Sequence, residues 1–515
     1  MARLGRLGLF SLLAISAISA CSAGEAALSR ALPLFEAAPA VARKARVDVA
    51  LPAPPLERAE PAPVAAEPPR PATRAPAPAP SPPAPELELI SIARETFVYA
   101  APSKRSRKLG YLRLGARVKR SAEAEGTDGC EGGFYRVAPE GYVCVGDTAS
   151  LDVAHPLAAL ADHVGDRDEG LPFVYGRASL VGPPRYTRLP TFAEIKALEG
   201  GARRAVPDGF GALRVEEVPE FLRAGGSLPT SFGFSRAGMP LAVRALPNTG
   251  FAFVKAFDHE GRRYGLTTSL DLVPLERLTP VEPSTFRGLV LEGDAPLPAA
   301  FVRARRAMAY EKVATGGFGF KRTLRHREAF LLTGESVKAG AARYLETRDG
   351  EYVRDQDLVR IEPRDKLPTW AKDDRTWIHV SLRNQTLVAY VGARPVYATL
   401  VSTGIGTDPE AEDSRATPVG RFLIHTKHVS ATMTGDEMGD AFDLGEVPYV
   451  QYFSEGYALH AAYWHDSFGT PRSHGCVNLS PLDARFLFHH TEPAVPRGFH
   501  GAFSLREGTL IEITP

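Results

Sequence analysis

Residues 447–483 read VPYVQYFSEGYALHAAYWHDSFGTPRSHGCVNLSPLD, with one cysteine, Cys476, between Gly475 and Val477. That cysteine has four readings: nucleophile, metal ligand, half of a disulfide, or small buried apolar residue. A cysteine attacks as its thiolate, which is scarce near neutral pH unless a neighbour takes the proton. Histidine is the usual acceptor, giving a thiolate–imidazolium pair. His474 lies two positions before Cys476, and in an extended strand that spacing puts both side chains on one face. His460 ends the apolar strand YALH, His465 sits in the aromatic loop YWHDSFG, and His489 and His490 follow later. His460, His465, His474 and Cys476 also offer four zinc donors, but their spacing fits no closed zinc motif. A Ser-His-Gly surrounding is too polar for an inert buried thiol. We therefore expect a nucleophile, and neither a metal nor an organic cofactor.

Acyl transfer is the chemistry these residues suit. It needs an activated nucleophile, a proton shuttle and donors aimed at a developing oxyanion. Gly475 lets a substrate carbonyl approach the main chain closely, and the Cys476 amide is a natural oxyanion donor. Tyr449, Tyr463 and Trp464 could wall a peptide groove, whereas Tyr452 and Phe453 read better as core.

The order of these features, an upstream His, a loop, then Ser-His-Gly-Cys-apolar-Asn, resembles the active-site region of the YkuD-type L,D-transpeptidases. VSTG at 401–404 and TPVG at 417–420 stand where that family has them. The resemblance covers roughly 376–515. It implies Cys476 as nucleophile, His460 as general base, and the main-chain carbonyl of Ala461, where many relatives have Gly or Ser, as the group that orients the base. It further implies that His474 and Gly475 shape the oxyanion side, that Asn478 braces the loop and that Ser473 supports it. Ordinary turn chemistry explains Ser473 and Asn478 equally well. The implied fold is a β-sandwich, and the implied substrate is a peptidoglycan stem tetrapeptide. Cys476 would expel the terminal D-Ala and pass the acyl group to an amine, giving a 3→3 cross-link or attachment to an acceptor protein. Hydrolysis of the same intermediate would make an L,D-carboxypeptidase instead. The NlpC/P60 peptidases place cysteine before histidine in the chain, the reverse of His460 and Cys476.

Working outward, TWIHVSLRNQTLVAYVGARPVYATLVSTG reads as strands turning at Arg383-Asn384-Gln385 and at Gly392-Ala393. We expect one β domain over 374–515, preceded by the linker PRDKLPTWAKDD. Residues 89–150 alternate apolar and polar residues in short runs and weakly resemble a bacterial SH3-like barrel. In 151–236, a mixed region, Thr191 and Glu194 form a capping box, so PTFAEIKALEGG predicts a helix stopped by Gly200 and Gly201. Strands return over 237–365, where Gly350-Glu351-Tyr352-Val353 loosely echoes Gly141-Tyr142-Val143. A second SH3-like module is a possibility there. The fold class expected is mainly β: a catalytic sandwich with one or two small barrels.

The first 20 residues carry Arg3 and Arg6 ahead of the apolar run Leu7–Ala20, the pattern of a secretory signal. Ile18-Ser19-Ala20-Cys21 resembles a lipoprotein lipobox, which implies acylation of Cys21; plain cleavage after the small residues is the alternative. With Ser22 next, the resemblance implies the outer membrane of a Gram-negative cell, with the chain facing the periplasm. From 21 to 88 the chain is a tether, with 14 prolines between Pro52 and Pro85. At ~3.1 Å per residue that Pro/Ala stretch reaches ~100 Å as polyproline II. Of four cysteines, acylated Cys21 leaves three. Cys130 and Cys144, 14 apart in one Gly- and Tyr-rich segment, are candidates for a disulfide, and Cys476 is left over. With 61 Lys+Arg against 60 Asp+Glu, nothing argues for nucleic acid. A wall-binding lipoprotein without chemistry would need the same anchor and modules, but not the His460–Cys476 pair.

Overall fold

Alternating apolar residues in TWIHVS and TLVAYV make β1 (Thr376–Ser381) and β2 (Thr386–Val391), which pair antiparallel across a turn where Gln385 takes φ +54°. In the computed structural model, β3 (Arg394–Leu400) joins β2, while β4 (Gly420–Leu423) pairs with the C-terminal strand. The structure describes residues 87–161, 164–200, 205–229, 241–293, 296–406, 415–435 and 441–515. The signal-like segment, Cys21 and the Pro/Ala stretch therefore lie outside the described residues.

A second sheet carries β5 (Thr426–Gly435), β6 (Phe442–Ser454) and β7 (Tyr457–Ala461), each antiparallel to the next. Then β8 (Val477–Leu479) lies parallel to β7, with Leu459 opposite Val477 and His460 opposite Asn478. Helix α1 (Pro481–His490) follows, its first turn capped by Ser480, whose hydroxyl accepts from the Asp483 amide at 3.1 Å. β9 (Gly501–Phe503) pairs with β5, and β10 (Leu510–Thr514) returns parallel to β1 in the first sheet. Ile378, Val380 and Leu387 of one sheet meet Leu459, Val477 and Leu479 of the other, with Ala484 and Leu487 of α1 beside them, all fully buried or nearly so. Each such side chain contributes about 1.5–3 kcal/mol. This is the expected sandwich.

That core does not stop at residue 374. Leu89, Val98, Leu112, Val118, Val137 and Val143 belong to the same buried cluster. Residues 88–150 form seven short strands, of which Lys108–Leu112 pairs directly with β9. Cys130 and Cys144 are joined in a disulfide within this module. A buried ion pair adds to the junction: the Arg113 guanidinium donates to Glu446 of β6.

The expected helix runs Phe192–Glu199, with the Thr191–Glu194 capping box and Gly200 at φ +73°. Downstream, the structure shows a repeat other than the one suspected around Tyr142. Strands Gly250–His259, Arg262–Thr267 and Leu272–Pro274, a 3-10 turn and a strand to Pro280 recur as Ala329–Ala339, Ala342–Thr347, Tyr352–Arg354, a 3-10 turn and a strand to Ile361. The spacing is a constant 80 positions: Tyr264 and Tyr344, Thr267 and Thr347, Val273 and Val353, Leu278 and Leu358. The partnerships repeat too. Arg185 is bound by Asp271 and Arg322 by Glu351, while the Thr267 and Thr347 hydroxyls accept from the amides of those two acids. The second module thus lies within 237–365, whereas the first also draws on the strand Val174–Ala178, upstream of 237. Few side chains are shared between them, so hydrophobic pattern alone did not expose the repeat.

Candidate active site

Across a ladder, paired residues point to one face. His460 therefore shares a face with Asn478, and Cys476, two positions earlier, comes to that face diagonal to His460. His460 and Cys476 thus belong to one face of the β7–β8 edge. The Cys476 thiol is part-exposed and lies 3.7 Å from the Gly456 carbonyl, alongside β7. The His460 ring is almost fully buried, and its Nδ1 is 3.0 Å from the Ala461 carbonyl. A carbonyl only accepts, so Nδ1 carries the proton and Nε2 keeps its lone pair free to take one.

Neither group has a counter-charge. Burial pushes the Cys476 thiol up to about 11 and the His460 imidazole down to about 4. The resting pair is thus thiol and neutral imidazole, not the ion pair expected from sequence.

The loop before Cys476 is stitched in place by its own polar residues. Gly475 has φ +122°, and a Cβ there would meet the Tyr457 ring at 2.4 Å, so only glycine fits. The Ser473 hydroxyl donates to the Cys476 carbonyl at 2.5 Å and accepts from the Gly475 amide at 3.1 Å. Thr417 donates to the Gly475 carbonyl at 2.8 Å and accepts from the Gly404 amide at 2.9 Å, tying TPVG and VSTG to the nucleophile loop. Asn478 exchanges main-chain bonds with Ser402, and its amide bonds His465 Nε2 at 3.1 Å.

Residues 375–513 match the YkuD family, the L,D-transpeptidase catalytic domain. The curated protein "Putative L,D-transpeptidase YciB" of Bacillus subtilis (strain 168) is 26% identical over 145 residues, covering 23% of this chain and 62% of that protein. A solved Enterococcus faecium L,D-transpeptidase mutant is 23% identical, over 28% of this chain and 50% of its own, with a TM-score of 0.22. L,D-transpeptidase 3 of Mycobacterium tuberculosis, solved with a faropenem-derived adduct, is 18% identical over 36% and 79%, with a TM-score of 0.21. The chain thus spans less than two thirds of the curated relative's length and about half of the Enterococcus chain.

Within the YkuD-type domain some expected residues stand elsewhere than sequence placed them. Tyr449 is fully buried; its hydroxyl donates to the Glu169 carbonyl and its ring packs on Phe488, so it is core and not groove. Tyr463 is also buried, its hydroxyl donating to the Gly445 carbonyl at 3.0 Å and its ring 4.5 Å from Tyr175. Trp464 is half-buried, with its ring centre 5.8 Å from that of His460. His474 does not share a strand face with Cys476, because Gly475 breaks the extended chain and β8 begins only at Val477. Its ring stands 5.3 Å from Phe442. The histidines offered as zinc donors are turned to separate partners: Ala461, Asn478 and Phe442.

Sequence reasoning missed what the upstream region supplies. Phe173, Tyr175 and Ala252 share an apolar cluster with Tyr463, Ala458 and the edge of Cys476. From the second repeat module, Arg327 binds the Asp466 carboxylate through two contacts of 2.7 and 2.5 Å while stacking on Phe286. Asp466 lies in the loop that carries Trp464 and His465. No local sequence signal marks Tyr175 or Arg327, since both act across more than a hundred residues of chain.

Proposed function

We propose that the chain is a peptidoglycan L,D-transpeptidase, held by a lipid on Cys21 and facing the periplasm. The observation that carries this reading is the His460 imidazole, its Nδ1 held by the Ala461 carbonyl, on the strand face that alternation also gives Cys476. The thiol sulfur attacks the L-centre carbonyl of a stem tetrapeptide as Nε2 takes its proton. The oxyanion is met by the Cys476 amide, since the Gly475 amide is already bonded to Ser473. Collapse of the intermediate forms a thioester and breaks the C–N bond. The imidazolium returns its proton to the departing D-Ala amine. An acceptor amine then attacks the thioester, loses a proton to His460, and the thiol is regenerated. The acceptor is a second stem peptide or another protein.

The test is incubation of purified full-length protein with disaccharide-tetrapeptide, products resolved by mass spectrometry, with Cys476→Ala as control. A cross-linked dimer lacking one D-Ala is expected. Tripeptide alone would make the enzyme an L,D-carboxypeptidase. Neither product above the control, with no carbapenem adduct on Cys476, would overturn the catalytic reading in favour of a wall-binding lipoprotein.

A further inference from the structure

The loop that joins β7 to β8 carries Trp464, His465 and Asp466 between the base and the nucleophile in the chain. The first two meet residues of the two strands. The Trp464 ring stands 5.8 Å from the His460 ring, and it packs on the same apolar cluster as Cys476. His465 Nδ1 accepts from the Ser467 amide at 3.2 Å, and its Nε2 is 3.1 Å from the Asn478 amide group on β8.

Asp466 ties this loop to the second repeat module. Its carboxylate takes two bonds from the Arg327 guanidinium, 2.7 and 2.5 Å, and a third from the Ser284 hydroxyl at 2.5 Å. A two-bond fork fixes direction as well as distance. The guanidinium also lies over the rings of Phe286 and Phe468, at 4.9 and 6.0 Å, and Phe468 belongs to the same loop. From the first module, Arg177 donates to the Trp464 carbonyl at 3.3 Å. Both modules thus hold one loop.

The backbone at Arg327 supplies a separate observation. In each repeat a residue of left-handed φ stands two positions before the long strand. Asn248 takes φ +61° before Gly250–His259, and Arg327 takes φ +63° before Ala329–Ala339. Asparagine enters that conformation readily, whereas arginine rarely does. The turn alone is better served by asparagine, so the arginine answers a need outside the turn.

We propose that Arg327 is a positioning residue for the acyl-transfer site. Through Asp466 it holds the loop that seats Trp464 against His460 and His465 against Asn478, so the second repeat module sets the competence of the site from outside the catalytic domain. This deepens the transpeptidase reading and rests on it for the reaction. The position of the loop is measurable without turnover.

The test labels the full-length protein with fluorotryptophan, whose three fluorine resonances belong to Trp370, Trp377 and Trp464. Trp464→Phe and Trp370→Phe assign them. Trp377 packs in one cluster with Phe301 and Ile361 of the second module, so its signal reports whether that module stays docked. In Arg327→Gln and in Asp466→Asn the Trp464 resonance should shift or broaden while that of Trp377 stays. Turnover of stem tetrapeptide should fall roughly tenfold in kcat, the scale of a small misplacement near the reacting groups. KM and iodoacetamide alkylation of Cys476 should be nearly unchanged, and Arg327→Lys should restore part of kcat. A Trp464 resonance unmoved in both variants, or an unchanged kcat, would overturn the proposal. Movement of Trp377 together with a lowered thermal midpoint would also overturn it, making Arg327 a strut for the module alone. Where the wild type turns over no peptide, carbapenem acylation of Cys476 slowed tenfold in the variants would keep the positioning role and remove the transpeptidase reading.

Discussion

At Cys476 and His460 the chemistry is set by what is missing. No charge stabilises a thiolate, so both groups are neutral between about pH 5 and 10. Iodoacetamide alkylation of Cys476 should be slow near neutrality, rise about tenfold per pH unit, and level off only near pH 11. A plateau already reached near neutrality would mean a preformed ion pair. Buried histidines also give the stability a definite sign. His460 and His428 are held at about 4 and His500 at about 3, all below the ordinary 6.5 and all by burial. Acid therefore protonates the unfolded chain first, and stability falls as pH drops from about 6.5 towards 4. Glu446, held at about 2 chiefly by Arg113 against the opposing effect of burial, works in the same direction, its stabilisation being lost below about 4.5. The thermal midpoint should decline steadily over that interval, and a level profile would contradict the assignment. Cys476 and His460 stood out in the sequence because few residue types can serve as nucleophile or base. Tyr449 did not, because a tyrosine serves a groove or a core equally well until its register is known.

Among the elements, the nucleophile loop depends on Thr417. Thr417→Val removes a donor to the Gly475 carbonyl and an acceptor for the Gly404 amide, leaving two buried main-chain groups unpaired. The expected cost is about 2–4 kcal/mol of stability, with at least a tenfold loss in carbapenem acylation; wild-type acylation would show that the strands alone hold the loop. Helix α1 is closed by a different device. Lys427, fully buried on β5, donates to the carbonyls of Phe488 and Thr491, both at 2.6 Å, at the helix end where cations are favoured. Lys427→Met should destabilise by about 2–3 kcal/mol, read by chemical denaturation, while sparing alkylation of Cys476. Helix Phe192–Glu199 was readable residue by residue, because its capping box is local. A lysine that crosses a sheet to cap a helix 60 residues away leaves no such local mark.

For the whole molecule, pattern and turn signals divided the chain into modules in series, while packing joins 88–150 to the sandwich as one core. Composition could not reveal this, because a residue such as Leu112 reads the same whether it fills its own barrel or a neighbour's sheet. Expressed alone, residues 374–515 should lose the burial contributed by Leu89, Val98, Leu112, Val118, Val137 and Val143, on the order of 10 kcal/mol. They should melt far below the full chain, or not fold; equal midpoints would show that the core divides after all. Glu446→Gln should cost about 3–5 kcal/mol by stranding Arg113 in the interior. The shared core also has a consequence for isotope exchange. Amide protons of Leu112 and of Leu459, in different modules by sequence, can reach deuterium only through the same global opening. Their slowest rates should coincide and shift together with denaturant, so that two stretches nearly 350 residues apart behave kinetically as one cooperative unit.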